Sequence, residues 1–74
     1  MVILDVFEHN GKTAVYCKAD TTVSEITSKK SEIKGMCYDI LKADVMRSIS
    51  GDIAITLLLN TNEKISVQQT VKLN

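Results

Sequence analysis

The sequence predicts an α+β domain of the form ββαββ, in which a helical region covers one face of a four-stranded antiparallel sheet. Two observations carry this prediction. Apolar residues alternate near both ends of the chain, as in strands, and recur at spacings of three and four in the middle, as in a helix. The 74 residues form a single domain, residues 1–74. A domain this small gains stability from a second copy, so we expect a homodimer.

The first two strands are indicated by the turn signal Asn10-Gly11, because both residues tolerate the positive φ angles of a tight hairpin. Val2 to Glu8 precedes the turn and Thr13 to Ala19 follows it. Alternation predicts an inner face made of Val2, Leu4, Val6, Val15, Cys17 and Ala19. The chain therefore opens with a β-hairpin.

A helical region is predicted next. Thr22-Val23-Ser24-Glu25 has the form of a capping box, so a helix starts near Thr22, with a break around Ser28 to Ser31. The main helix begins near Ser31, and its core-facing stripe consists of Ile33, Met36, Cys37, Ile40, Leu41 and Val45. Asp44 falls within this stripe, so it either caps a short final turn through Ile49 or is buried with a partner. Gly51 then ends the helix.

The last third of the chain predicts a second hairpin. Ile53, Ile55, Leu57 and Leu59 share one strand face, residues 60–64 turn the chain, and Ile65, Val67, Val71 and Leu73 form the inner face of a final strand. Polar outer faces place the second and fourth strands at the edges, in the order second, first, third, fourth.

A β-grasp sheet with parallel first and last strands is the alternative arrangement. Gly11-Lys12-Thr13 and the stretch from Asp20 to Ile26 resemble the opening hairpin and helix start of ubiquitin-like domains. That resemblance implies an adaptor function.

Composition and chemistry point away from catalysis. Nine basic residues balance nine acidic ones, which removes the long-range field that draws a protein to nucleic acid. His9 is the single histidine, and no metal-ligand spacing, phosphate loop or cofactor motif is present. We expect no enzyme activity, no metal and no cofactor. The chain lacks a signal-type or membrane-spanning segment, so we expect a cytoplasmic protein. Cys17 and Cys37 are predicted to be reduced and buried, with one bridge as the alternative.

Two surfaces are candidates for binding. If the helix covers one side of the sheet, Ile3, Phe7, Tyr16 and Leu58 project from the other and form an apolar homodimer interface. Lys29, Lys30 and Lys34 form a basic shoulder on the helical region, able to contact a partner protein or phosphate. Without interleaved aromatic residues, an accessory nucleic-acid-binding function is the weaker alternative.

The final strand contains a third candidate. Gln68-Gln69-Thr70-Val71-Lys72-Leu73 resembles the hexapeptide motif that binds the bacterial DNA sliding clamp. The size and neutral charge of the chain are similar to those of small phage-encoded proteins that inhibit host machinery, including this clamp. The resemblance implies that Gln68, Val71 and Leu73 contact the clamp, in the host cytoplasm if the protein is phage-encoded.

Overall fold

The computed structural model describes residues 1–19, 26 and 28–73. These residues form strands and no helix. The strands are β1 Val2–His9, β2 Lys12–Lys18, β3 Lys30–Ile33, β4 Met36–Arg47, β5 Ile53–Leu59 and β6 Val71–Leu73. The predicted α+β class is therefore wrong, and the described part of the chain is all β. The predicted capping box, residues 22–25, lies outside the described residues.

The six strands form one antiparallel sheet in the order β1-β2-β5-β4-β3-β6, so β5 lies near its centre. The two ends of this sheet meet. Met1 and Val71 exchange hydrogen bonds of 3.0 and 2.7 Å, and Val2 bridges Thr70 in antiparallel orientation. Ile3 N donates to Gln69 O at 2.9 Å, and Gln68 N donates to Ile3 O at 2.8 Å. The sheet therefore closes on itself.

This topology corrects the predicted strand order. β2 lies between β1 and β5 and is not an edge, and β6 pairs with β3 and not with β5. The predicted second hairpin is therefore absent from the sheet. The β-grasp alternative is also wrong, because the first and last strands meet in antiparallel orientation at Val2 and Thr70.

The first hairpin is confirmed. Asn10 and Gly11 have φ angles of 53° and 77°, as the turn requires. The register of β1 shifts between Ile3 and Asp5, which reverses the alternation at this point. Ile3 therefore faces the interior and is 0% exposed, whereas Leu4 is exposed. The prediction that Val2 and Leu4 face inward and Ile3 outward is wrong.

The predicted main helix is replaced by β3 and β4, joined by a tight turn. Lys34 and Gly35 have φ angles of 52° and 79°, the same positive pair as in the first hairpin. β4 has a register shift between Ile40 and Lys42. The inward residues before and after this shift are Tyr38, Ile40, Ala43 and Val45. Alternation that skips one residue produces a spacing of three, which imitates a helical stripe.

The other predictions that assumed the main helix are wrong as well. Met36, Cys37 and Leu41 are exposed and not buried. Cys37 and Leu41 lie outside the inward series of β4, and Met36 is the first residue of the strand, next to the β3–β4 turn. Asp44 is exposed and pairs in register with Thr56, so it neither caps a helix nor lies buried. Gly51 has a φ of 94° in the turn between β4 and β5, where Gly51 N donates to Ser48 O at 3.0 Å. Gly51 therefore belongs to the turn that joins β4 to β5 and does not end a helix.

β5 spans the predicted residues and alternates as predicted, but the final strand is shorter. Val67 is exposed, and only Val71–Leu73 forms β6. The intervening segment is anchored at Glu63. The Thr13 hydroxyl donates to the Glu63 carbonyl at 2.7 Å, and the Tyr38 hydroxyl donates to the Glu63 carboxylate at 2.8 Å. The bond to the carboxylate raises the pKa of Tyr38.

The interior of the closed sheet is apolar. Its buried residues are Ile3, Val15, Cys17, Ile33, Ile53, Ile55, Leu57, Leu59, Ile65 and Val71. Two polar side chains are buried with them, and both are bonded: Thr13 to Glu63, and Ser31 through its hydroxyl to the Tyr38 carbonyl at 3.4 Å. The buried core therefore draws residues from β1, β2, β3, β5, β6 and the segment between β5 and β6, and partly buried residues of β4 pack against it.

The two cysteines occupy different environments, and both are free thiols. Cys17 is buried, as predicted, and burial raises the pKa of its thiol to about 11. Cys37 is exposed on β4, opposite Glu32. The prediction that Cys37 is buried is wrong, because it assumed the helical stripe.

We predict that Leu57→Ala lowers the free energy of unfolding by about 3 kcal/mol, because Leu57 is 0% exposed in the core. Leu41→Ala makes the same chemical change at a side chain that is 51% exposed, and it should change stability by less than about 0.5 kcal/mol. Urea unfolding of both variants measures the difference. Equal losses would contradict the inward series derived for β4 and β5.

We predict that a thiol reagent labels Cys37 rapidly in the native protein and Cys17 only after denaturant is added. Cys17 is both buried and protonated over the whole neutral range. The Cys37→Ser variant assigns the two phases, because it should lack the rapid one. Rapid labelling that persists in this variant would show that Cys17 is accessible.

Candidate protein-binding face

Four neighbouring strands, β1, β2, β5 and β4, line up their outward residues in rows across the sheet. The first row is Phe7, Ala14, Leu58 and Lys42; the second is Asp5, Tyr16, Thr56 and Asp44; the third is Val2, Lys18, Ala54 and Met46. Leu4 lies next to the third row, at the register shift of β1. We call these thirteen positions the outer face. Its first and third rows are mainly apolar, with one lysine each, and its second row is polar and carries two aspartates.

The first depression in the outer face, groove A, has a volume of about 170 Å³. It is lined by Phe7, His9, Ala14, Lys42, Asp44, Thr56 and Leu58. Ala14 is only 2% exposed and has the smallest side chain of its row, so it forms the floor between Phe7 and Leu58. Phe7 is 46% exposed although it is the largest apolar side chain of the face. The groove therefore presents an aromatic wall to the solvent.

The second depression, groove B, has a volume of about 340 Å³ and lies around the third row. It is lined by Leu4, Tyr16, Lys18, Met46, Arg47, Ser48, Asp52, Ile53 and Ala54. Ala54 pairs with Lys18 on one side and Met46 on the other, so a short side chain again separates two long ones. Small residues at two register positions, Ala14 and Ala54, thus form the floors of grooves A and B.

The structure brings together three of the four residues predicted for a dimer interface. Phe7, Tyr16 and Leu58 all belong to the outer face. Ile3 does not, because the register shift of β1 turns it into the core. Sequence reasoning missed Leu4 and Met46. The pair Lys34-Gly35 was the available signal for Met46, since a hairpin there makes the following residues a strand.

The three predicted lysines lie in a different place from the outer face. Lys30 begins β3 and forms an exposed ion pair with Asp39 at 3.4 Å, and Lys34 lies in the β3–β4 turn. Lys29 precedes β3, and its carbonyl accepts from Ile40 N. The predicted helical shoulder is wrong, because no helix forms here. Asp39 and Glu32 alternate with the lysines, which breaks the basic surface that phosphate binding would need.

The hexapeptide motif is part of the closed sheet. Val71 is 2% exposed in the core, and Leu73 packs against the core. The motif is bonded on both sides, to β3 through Val71–Leu73 and to β1 through Gln68 and Gln69. It is therefore not an edge strand, and it cannot detach as a peptide without opening the sheet.

The outer face offers contacts and not a cluster of reactive groups. His9 lies at its margin, with its ring nitrogen 3.3 Å from the Asn10 side-chain amide. Within residues 1–19, 26 and 28–73, no three histidine, cysteine or acidic side chains are placed to share a metal ion. The chemistry available on the face is therefore apolar burial flanked by single charges.

Comparison with protein families, curated proteins and solved structures gives no significant match. The likeness to small phage-encoded inhibitors stays a prediction. Among the described residues, no helix is long and apolar enough to cross a membrane. The functional interpretation therefore depends on the geometry of the outer face.

We predict that Val71→Ala lowers the free energy of unfolding by about 2 kcal/mol, because it removes buried methyl groups where the sheet closes. Gln68→Ala should cost less than about 0.5 kcal/mol, since this side chain is exposed and its main-chain bond to Ile3 remains. Thermal and urea unfolding measure both. Unchanged stability of the Val71→Ala protein would contradict the burial of Val71 in the core.

Proposed function

We propose that the protein is a non-catalytic binding module that contacts another protein through the outer face, with groove A at the centre of the contact. The supporting observation is that Leu4, Phe7, Tyr16, Met46 and Leu58 lie on one side of the sheet. Apolar and aromatic side chains gathered on one solvent-facing side of a sheet are typical of protein interfaces.

The strands hold these contact residues in place before any partner arrives. β2 and β5 carry Ala14, Tyr16 and Leu58, and each of these strands is paired on both sides. A partner therefore pays little entropy for ordering the central part of the surface. Grooves A and B each have an alanine at the floor and larger apolar side chains at the walls. Such grooves can accept the few large side chains of a partner that contribute most of the binding energy in protein complexes.

The charges of the face favour a protein over a nucleic acid. Lys18 and Lys42 are balanced by Asp5 and Asp44, and the Lys42 amine lies 4.0 Å from the Asp44 carboxylate. A phosphate backbone gains affinity by releasing counterions from a surplus of basic side chains, which this face lacks. The accessory nucleic-acid function is accordingly the weaker proposal.

The bacterial DNA sliding clamp stays the first candidate partner, in the cytoplasm of the cell that contains it. Of the two ways to engage a clamp, the burial of Val71 favours a folded surface over a released peptide. A second copy of the chain is the competing occupant of the face. A homodimer through Phe7, Tyr16 and Leu58 would cover the same apolar rows and compete with the partner.

Calorimetric titration against purified clamp tests this proposal. We expect Phe7→Asp to weaken binding at least tenfold, because it places a charge in groove A, and Gln68→Ala to leave binding unchanged. Val67→Asp is the matched control, since Val67 has the same exposure as Phe7 but lies outside the outer face. Absence of heat with the unmodified protein at about 100 μM would remove the clamp as the partner.

Light scattering after size exclusion tests the competing occupant. A dimer that Phe7→Asp dissociates and Val67→Asp preserves would assign the outer face to a second copy. A monomer at tens of micromolar leaves the face free for a different protein. A dimer that neither variant affects would place self-association elsewhere and contradict the homodimer interface.

A further inference from the structure

We infer that the outer face binds an extended, acidic segment of a partner protein, with one apolar side chain in groove A and a second, beside a carboxylate, in groove B. This inference rests on the proposed function and specifies the chemistry of the partner. It follows from the apolar walls of the two grooves, their spacing along the strands and the excess of one positive charge in the lining of groove B, where Lys18 and Arg47 outnumber Asp52.

Groove B has an apolar interior and a charged rim. Leu4, Tyr16 and Met46 surround the short side chain of Ala54. Leu4 and Met46 are both exposed, so burying them against a partner removes apolar surface from water. An aliphatic or aromatic side chain of the partner suits this hollow.

Groove B is lined by two cations and one carboxylate. Lys18, Arg47 and Asp52 line it, and none of the three has an ion pair within the described residues, so the lining has an excess of one positive charge. The other ionisable side chain lining the groove is Tyr16, and the Asp52 carboxylate accepts from the Ser50 hydroxyl at 3.3 Å. A carboxylate on the partner can bond Arg47 and Lys18 together, because a guanidinium binds carboxylate oxygens in pairs.

The neighbouring row limits how much negative charge the partner can carry. Asp5 and Asp44 belong to the second row, which lies two residues and roughly 7 Å from the third row along β2 and β4. A continuous polyanion, whether nucleic acid or an anionic lipid surface, would meet these carboxylates as well as the cations. A segment with acidic groups at one end only avoids that repulsion, and this favours a protein ligand.

The spacing of the grooves sets the length of the segment. Ala14 and Lys18 mark the first and third rows on β2, four residues and roughly 13 Å apart. Side chains i and i+4 of an extended chain point to the same side at the same separation. An extended segment aligned with β2 and β5 therefore places its two apolar residues in grooves A and B.

The turn beside groove B is already ordered. Ser48 N donates to Asp52 O at 2.8 Å, Asp52 N donates to the Ser48 hydroxyl at 3.1 Å, and the Ser48 and Ser50 hydroxyls are 2.8 Å apart. Ile49 lies in this turn and is fully exposed. These bonds therefore hold the turn that follows Arg47 in place without a partner.

Amide chemical shifts of the full-length, isotope-labelled protein during peptide titration test the inference. The probe is an acetylated, amidated nonapeptide with two leucines four residues apart, two glutamates after the second leucine, and serine elsewhere. The matched peptide carries lysines in place of the glutamates. We expect shifts at Ala14, Lys18, Ala54 and Met46, a Kd of about 1 mM for the acidic peptide, and at least fivefold weaker binding of the basic one.

Charge reversal provides the decisive variant. Lys18→Glu combined with Arg47→Glu should reverse the preference between the two peptides, whereas Lys72→Glu, an exposed change on β6, should not alter it. Equal binding of both peptides, shifts confined to another surface, or no binding of either peptide overturns the inference. Thermal unfolding of each variant verifies that the fold is retained.

Titration of the same variants with a partner protein separates this inference from the proposed function. If Phe7→Asp abolishes binding of a partner protein while the double charge reversal leaves it unchanged, the outer face binds a partner without the acidic preference, and only the inference fails. Phosphatidylglycerol vesicles and a thymidine oligonucleotide are tested in the same way. If the protein binds either of them more tightly than the acidic peptide, and if the double charge reversal weakens that binding, the inference is overturned in favour of that ligand.

Discussion

The structure depends on the main-chain hydrogen bonds that join residues 1–3 to residues 68–71. These bonds place β6 between β3 and the start of β1, so that the sheet closes and Ile3, Ile33 and Val71 enter one interior. An open sheet of these strands would leave the same side chains facing water. Closure also satisfies peptide groups that would otherwise remain unpaired at two edges, which is a general advantage of closed sheets.

The outer face is a consequence of this closure. In a closed sheet the interior is filled by its own strands, so outward apolar side chains have no second layer from the same strands to cover them. Phe7, Leu58 and Met46 are in this position, whereas Ala14 and Ala54 leave hollows between them. The surface that we propose for binding thus arises from side chains that the fold itself does not use.

The helix prediction failed because the alternation of β4 is interrupted, and a similar interruption in β1 misplaced Ile3 and Leu4. Register shifts near Leu4 and Leu41 reverse the inward face of β1 and β4, and each shift mixes two alternating series into one irregular pattern. In β4 the mixture matches a period near 3.6 better than a period of two. The turn chemistry was the more reliable guide, since Lys34-Gly35 has the same positive φ angles as Asn10-Gly11.

The sequence by itself determined the first hairpin, the span and alternation of β5, the burial of Cys17, and three residues of the outer face, because these depend on local turn chemistry and uninterrupted alternation. Only the tertiary structure decided the strand order, the inward position of Ile3 and the role of the hexapeptide motif. These depend on pairings between residues distant in the chain, such as Met1 with Val71 and Ile33 with Val71, which no local pattern encodes. The local pattern of residues 68–73 resembles a clamp-binding peptide, whereas their pairing with β3 and with Ile3 places Val71 in the core.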